Sequence, residues 1–115
     1  MEHIIFGYDA VIVPMELYKF FGNVNDAFIV QFIHESNESS EAVLWEDGEY
    51  WFAITNEELS KRLPMSMSTV KRSLSELRSK GYLLSECLTG CPWDRTKSYR
   101  VNYEKLENDL KEWGK

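Results

Sequence analysis

Apolar positions along this chain change their spacing from one stretch to the next, and each spacing predicts an element. Ile4-Ile5-Phe6 and Ala10-Val11-Ile12-Val13 are short continuous runs broken by Gly7, which predicts extended segments. Pro14 is placed as the first residue of a short helix through Phe21, because its fixed φ suits the first turn and no N–H is needed there. Gly22-Asn23 stops that helix. Asn25 or Asp26 can cap a second one, in which Phe28, Ile29, Phe32 and Ile33 recur at helical spacing. The polar run Ser36-Asn37-Glu38-Ser39-Ser40 then predicts a loop.

Val43-Leu44-Trp45 and Tyr50-Trp51-Phe52 flank Glu46-Asp47-Gly48-Glu49, and Asp-Gly between aromatic and β-branched runs predicts a hairpin. Thr55-Asn56-Glu57-Glu58 has capping-box spacing, so a third helix begins at Asn56 and runs through Leu59 and Leu63 until Pro64 ends it. Ser66 caps a fourth helix with Val70, Leu74 and Leu77 on one stripe, and Gly81 supplies the left-handed stop. Tyr82-Leu83-Leu84 and Ser98-Tyr99-Arg100-Val101 predict two strands joined by a loop containing Gly90, Pro92, Asp94 and Arg95. An amphipathic helix from Glu104 to Trp113 closes the chain. There is no internal repeat, linker or low-complexity tract.

In order, residues 55–103 read helix, tight turn, helix, strand, loop, strand. The expected architecture is a mostly helical α+β domain over residues 1–115: a helix-turn-helix over 55–81, a two-stranded wing over 82–103, an additional β-hairpin and a C-terminal helix. The length of 115 residues fits one core and is too short for two, and 43% hydrophobic with 28% charged residues is the composition of a folded globular protein. No apolar run approaches the roughly 18 residues that cross a bilayer, and Met1-Glu2-His3-Ile4-Ile5 lacks the basic start of a signal peptide. A cytoplasmic protein with no membrane partner is expected.

A net charge of −6 speaks against nucleic acid, because affinity for phosphate comes mainly from Lys and Arg. The distribution reverses that inference. Residues 1–59 hold twelve acids and one base, Lys19, whereas residues 60–100 hold nine bases and three acids. A basic block inside an acidic protein is the sequence form of a localised anion-binding face. On the fourth helix, inward-facing Val70, Leu74 and Leu77 turn Ser68, Thr69, Lys71, Arg72 and Ser75 toward solvent, with Ser66 at the helix start. Arg pairs bidentately with guanine, Ser and Thr bond bases or phosphates, and Lys supplies charge. Arg95 and Lys97 join them from the wing, while Lys61, Arg62, Arg78 and Lys80 are placed to touch the flanking DNA backbone. A solvated basic face and a protein-binding helix-turn-helix are the competing readings of the same residues.

The stretch from Ile54-Thr55-Asn56-Glu57-Glu58-Leu59 through Ser66-Met67-Ser68-Thr69-Val70-Lys71-Arg72 to Lys80-Gly81-Tyr82-Leu83-Leu84 resembles the N-terminal winged-helix domain of phage and plasmid replication proteins from Gram-positive bacteria. That group includes the DnaD-like replisome organisers. Two further matches are the apolar helix Ala27 to Ile33 before the Asp-Gly hairpin, and Asp94-Arg95-Thr96-Lys97-Ser98-Tyr99 leading to Asn102-Tyr103-Glu104-Lys105-Leu106. The resemblance covers residues 25–107. It implies sequence-specific binding of double-stranded DNA, in replication initiation or transcriptional control, without catalysis or cofactor, and in a host bacterial cytoplasm if phage-encoded. Such replication proteins usually continue into a second domain. This chain ends at Lys115, which leaves a small regulator, a piece of a longer protein, or a domain turned to another use.

Cys87 and Cys91 supply half of a zinc site, but His3 and His34 lie far away in sequence, so no metal is expected and two reduced thiols are. The chain lacks a Gly-rich phosphate loop, a His-Glu-x-x-His and a nucleophile elbow, so no enzyme is expected either. On the hairpin, Tyr50 and Phe52 share one face and Trp51 takes the other. These aromatics read either as core against the second helix or as a dimer or partner surface, and the stripe Leu106, Leu110, Trp113 is a second candidate for a homodimer contact. The rival function is a protein-binding winged helix, such as a small phage inhibitor of a host factor, which docks a basic partner through the acidic half at Glu46, Asp47 and Glu49.

Overall fold

The computed structural model describes residues 14–63, 65–87 and 96–114. Helix α1 (Met15–Phe21) starts after Pro14, which is its N-cap instead of its first helical residue. Helix α2 (Val24–Asn37) is capped by Asn23, whose side-chain oxygen accepts from the amides of Asn25 and Asp26 at 2.8 and 3.3 Å. The cap therefore lies just before the residues expected to provide it.

α2 also runs on to Asn37, through the first part of the stretch expected to be a loop. The reason is tertiary. Asn37 is buried, its amide group donates to the Tyr99 carbonyl at 3.0 Å and the Tyr50 carbonyl at 3.5 Å, and its side-chain oxygen accepts from Val101 N–H at 3.3 Å. A residue that locally favours a turn is here a staple between a helix end and two strands.

Strands β1 (Val43–Leu44) and β2 (Tyr50–Ile54) form the expected hairpin, with Gly48 at φ +80, where its missing Cβ matters. Helices α3 (Asn56–Arg62) and α4 (Met67–Ser79) follow, then strands β3 (Leu83–Glu86) and β4 (Lys97–Val101), and finally helix α5 (Tyr103–Trp113), capped by Asn102. All four strands join one antiparallel sheet in the order β1-β2-β4-β3. Phe52 stands opposite Tyr99 and Ile54 opposite Lys97, while Leu83 stands opposite Val101. The two strand pairs expected separately are thus one sheet, in which β2 and β4 meet across the whole of α3 and α4.

One face of this sheet presents Phe52, Ile54, Leu83, Tyr99 and Val101 to a core completed by Ile29, Val30 and Ile33 of α2, Leu59 of α3, Val70, Leu74 and Leu77 of α4, and Leu106 of α5. Each large side chain buried there contributes about 1.5–3 kcal/mol. α4 ends in a left-handed Gly81 at φ +84, with Tyr82 N–H returning to the Leu77 carbonyl at 3.0 Å, so the expected glycine stop is the one used. No described helix is long and apolar enough to cross a membrane.

Trp51 points to the opposite face from Phe52 and is nonetheless only 6% exposed. The Asp47 carboxylate accepts from its indole N–H at 3.1 Å, and the Arg100 guanidinium stacks 5.8 Å from the ring centroid. The hairpin turn curls back over this face and covers it locally.

Candidate nucleic-acid interface

The helix pair is fixed by local bonds. Thr55 accepts from Glu58 N–H at 3.1 Å at the start of α3, and Ser66 accepts from Thr69 N–H at 3.3 Å at the start of α4. Between them the Ser60 hydroxyl donates to the Met65 carbonyl at 2.9 Å, which ties the turn to α3. The angle between the two helices is set by these bonds and by buried Leu59, Leu63, Val70 and Leu74.

With Val70, Ser73, Leu74 and Leu77 inward, Ser68, Lys71, Arg72 and Ser75 are exposed and Thr69 is half-buried. Ser66 is exposed, but its hydroxyl is engaged with Thr69 and Ser68. Lys97, at the start of β4, is exposed as well. Lys71 and Lys97, far apart in sequence, line one open cleft of about 630 Å³ together with Thr55, Asn56, Glu57 and Met67. That cleft sets two ammonium groups against one carboxylate, Glu57. Arg95 and Cys91 lie outside the described residues, and Cys87 is exposed.

The basic block divides by partner. Arg62 pairs with Glu41 at 3.5 Å and lies over the rings of Phe32 and Phe52, 5.3 and 5.9 Å from their centroids. Arg78 donates to the Leu74 carbonyl and to the Ser85 hydroxyl, and Lys80 pairs with Glu76 at 2.9 Å. The Lys80 ammonium holds the Glu76 carboxyl below its usual range. Arg100 pairs with Glu49 at 3.8 Å. Among the described residues, no carboxylate lies within ion-pair distance of Lys61, Lys71, Arg72 or Lys97. Of the four cations assigned to flanking backbone contacts, Lys61 alone is exposed and uncommitted, whereas Arg62, Arg78 and Lys80 already hold protein partners.

Behind this face lies a buried carboxyl. Asp26 of α2 is 1% exposed and is set against Ser73 of α4, and neither Asp26 oxygen nor the Ser73 hydroxyl makes a hydrogen bond of good geometry. Burial pushes the Asp26 carboxyl above its ordinary value, with the Ser73 hydroxyl and Lys80 partly offsetting and Glu76 adding to the rise. Among the described residues no group of three or more His, Cys, Asp or Glu side chains is arranged to hold a metal ion. Comparison with protein-family models, with curated proteins and with solved structures finds no match for this chain.

Proposed function

We propose that this chain binds double-stranded DNA in a sequence-specific manner through a winged helix-turn-helix, with α4 as the reading helix in the major groove and Lys97 on the wing side. The observation that carries the reading is the cleft shared by Lys71 and Lys97. Two ammonium groups from different elements, neither ion-paired among the described residues and both beside an exposed row of Ser68, Arg72 and Ser75, suit a phosphate backbone flanking readable base edges. Support also comes from the element order α2-β2-α3-α4-β3-β4, with β2 beside β4 at the root of the wing. The setting is replication initiation or transcriptional control of a phage or plasmid, and the protein works by binding, without cofactor or catalysis.

The test is binding to labelled duplex fragments of the source genome against a scrambled duplex across a salt series. Preference for particular fragments is expected, with affinity falling steeply as salt rises, at a slope of about −0.9 per phosphate neutralised. Equal binding to all duplexes, or none at low salt, overturns the reading.

A further inference from the structure

The face of the sheet around Trp51 lies away from the cleft that holds Lys71 and Lys97. Tyr50, at the hairpin end of β2, is four positions from Ile54, which stands opposite Lys97, a span of about 13 Å at the rise of a strand. Around the hairpin a groove of about 420 Å³ is lined by Trp45, Glu46, Asp47, Trp51 and Glu86. Among the described residues no cation lies within ion-pair distance of Glu46, Asp47 or Glu86.

Beside the groove the sheet ends in β1, and no described strand pairs with its outer edge. Trp45 N–H is turned inward to the Glu49 carbonyl at 2.9 Å, so alternation turns the N–H and carbonyl of Leu44 outward. Val43 (58% exposed) stands opposite Trp51 and shares its face, while Leu44 (56%) stands opposite Tyr50 (53%) and shares the other. The edge thus offers Val43, the Trp45 indole and the Glu46 carboxylate on one side of the strand and an apolar face on the other.

We infer that the β1 edge and the tryptophan groove dock an extended, basic protein segment in which Lys or Arg alternates with apolar residues. A strand added along β1 turns alternate side chains to opposite faces. Its cations then meet Glu46 and Asp47 at the hairpin, with their aliphatic stems on Val43 and the Trp45 indole, while its apolar residues meet Leu44 and Tyr50. The protein already contains one instance of this chemistry: Arg100 stacks on Trp51 while pairing with Glu49. Charge selects the occupant. DNA is repelled by these carboxylates, and a second copy using the same face brings like charges together.

The probe is a short synthetic peptide alternating lysine and valine, compared with one alternating lysine and glycine. Titrated into the isotope-labelled full chain, the lysine–valine peptide is expected to shift amide signals of residues 43–51, and to bind about tenfold tighter than its glycine counterpart. Glu46→Lys with Asp47→Asn is expected to weaken binding about tenfold, and the charge-matched pair Glu104→Lys with Glu107→Gln on α5 less than about twofold. Both variants are checked for an unchanged melting temperature, and the shift mapping needs no variant. Equal weakening by the two pairs, equal affinity for the two peptides, shifts centred on α3 and α4, or no binding overturns the inference. So does a dimer of the chain alone that Leu44→Glu dissolves, since that assigns the edge to a second copy.

Discussion

Lys71 and Arg72 are neighbours in sequence but are separated by about 100° around α4, and the two cations divide the work accordingly. Lys71 turns to the cleft it shares with Lys97, while Arg72 stands on the open face beside Ser68 and Ser75. If Arg72 reads a base, as proposed, Arg72→Ala is expected to cost about 1–3 kcal/mol on a preferred duplex and to relax sequence preference. Lys97→Ala is expected to weaken all duplexes alike and to lower the salt slope by about one unit, and both are read from the same titrations. Asp26 carries a prediction for stability. Its carboxyl sits above the ordinary 3.8 in the folded chain, so its contribution is fully present below that value and is lost as pH rises through the folded one. Asp26→Asn is expected to raise the melting temperature at neutral pH, with the difference vanishing on acidification, as thermal melts across pH will read. At this scale the caps of α3 and α4 were legible, because Thr55 and Ser66 act on amides three positions away, whereas the cap of α2 lies at Asn23, ahead of the residues expected for it. The commitment of Arg62 was not. Its partner Glu41 and the rings of Phe32 and Phe52 arrive from elsewhere in the chain, and only the fold brings them together.

At the scale of elements, helices and strands followed from periodicity wherever the apolar stripe was long, as in α4 with Val70, Leu74 and Leu77. The misreading at the end of α2 has a definite origin. Ser36 and Asn37 are polar and favour turns in isolation, but burial against β2 and β4 supplies Asn37 with three backbone partners that no local pattern announces. Asn37→Ala leaves the buried Tyr99 carbonyl and Val101 N–H without it. A loss of about 1–3 kcal/mol is expected in denaturant unfolding, and because β4 also carries Lys97, the proposed duplex binding is expected to weaken with it. Trp51 shows the same limit from the other direction. Strand alternation correctly put it opposite Phe52, yet its burial depends on Asp47 and Arg100 closing over it.

For the whole molecule, the uneven charge was readable from its distribution along the sequence, and among the described residues it separates two surfaces: Lys71 and Lys97 without an ion-pair partner on the cleft side, Glu46 and Asp47 without one at the hairpin. The sheet order was not readable, since pairing of β2 with β4 joins strands that sequence patterns treat as belonging to different hairpins. That seam encloses everything from Thr55 to Thr96, including α4, and closing so long a loop is entropically costly until the core beneath it forms. The helix pair is therefore no detachable module. Amide protons of Phe52 and Ile54 in the seam and of Leu74 in α4 are expected to exchange with solvent through the same global opening, with matching free energies in native-state hydrogen exchange. If α4 reads DNA as proposed, a helix enclosed in this way meets the duplex already ordered. Its association rate is then governed by encounter and electrostatic steering, so adding salt slows arrival more than it speeds departure.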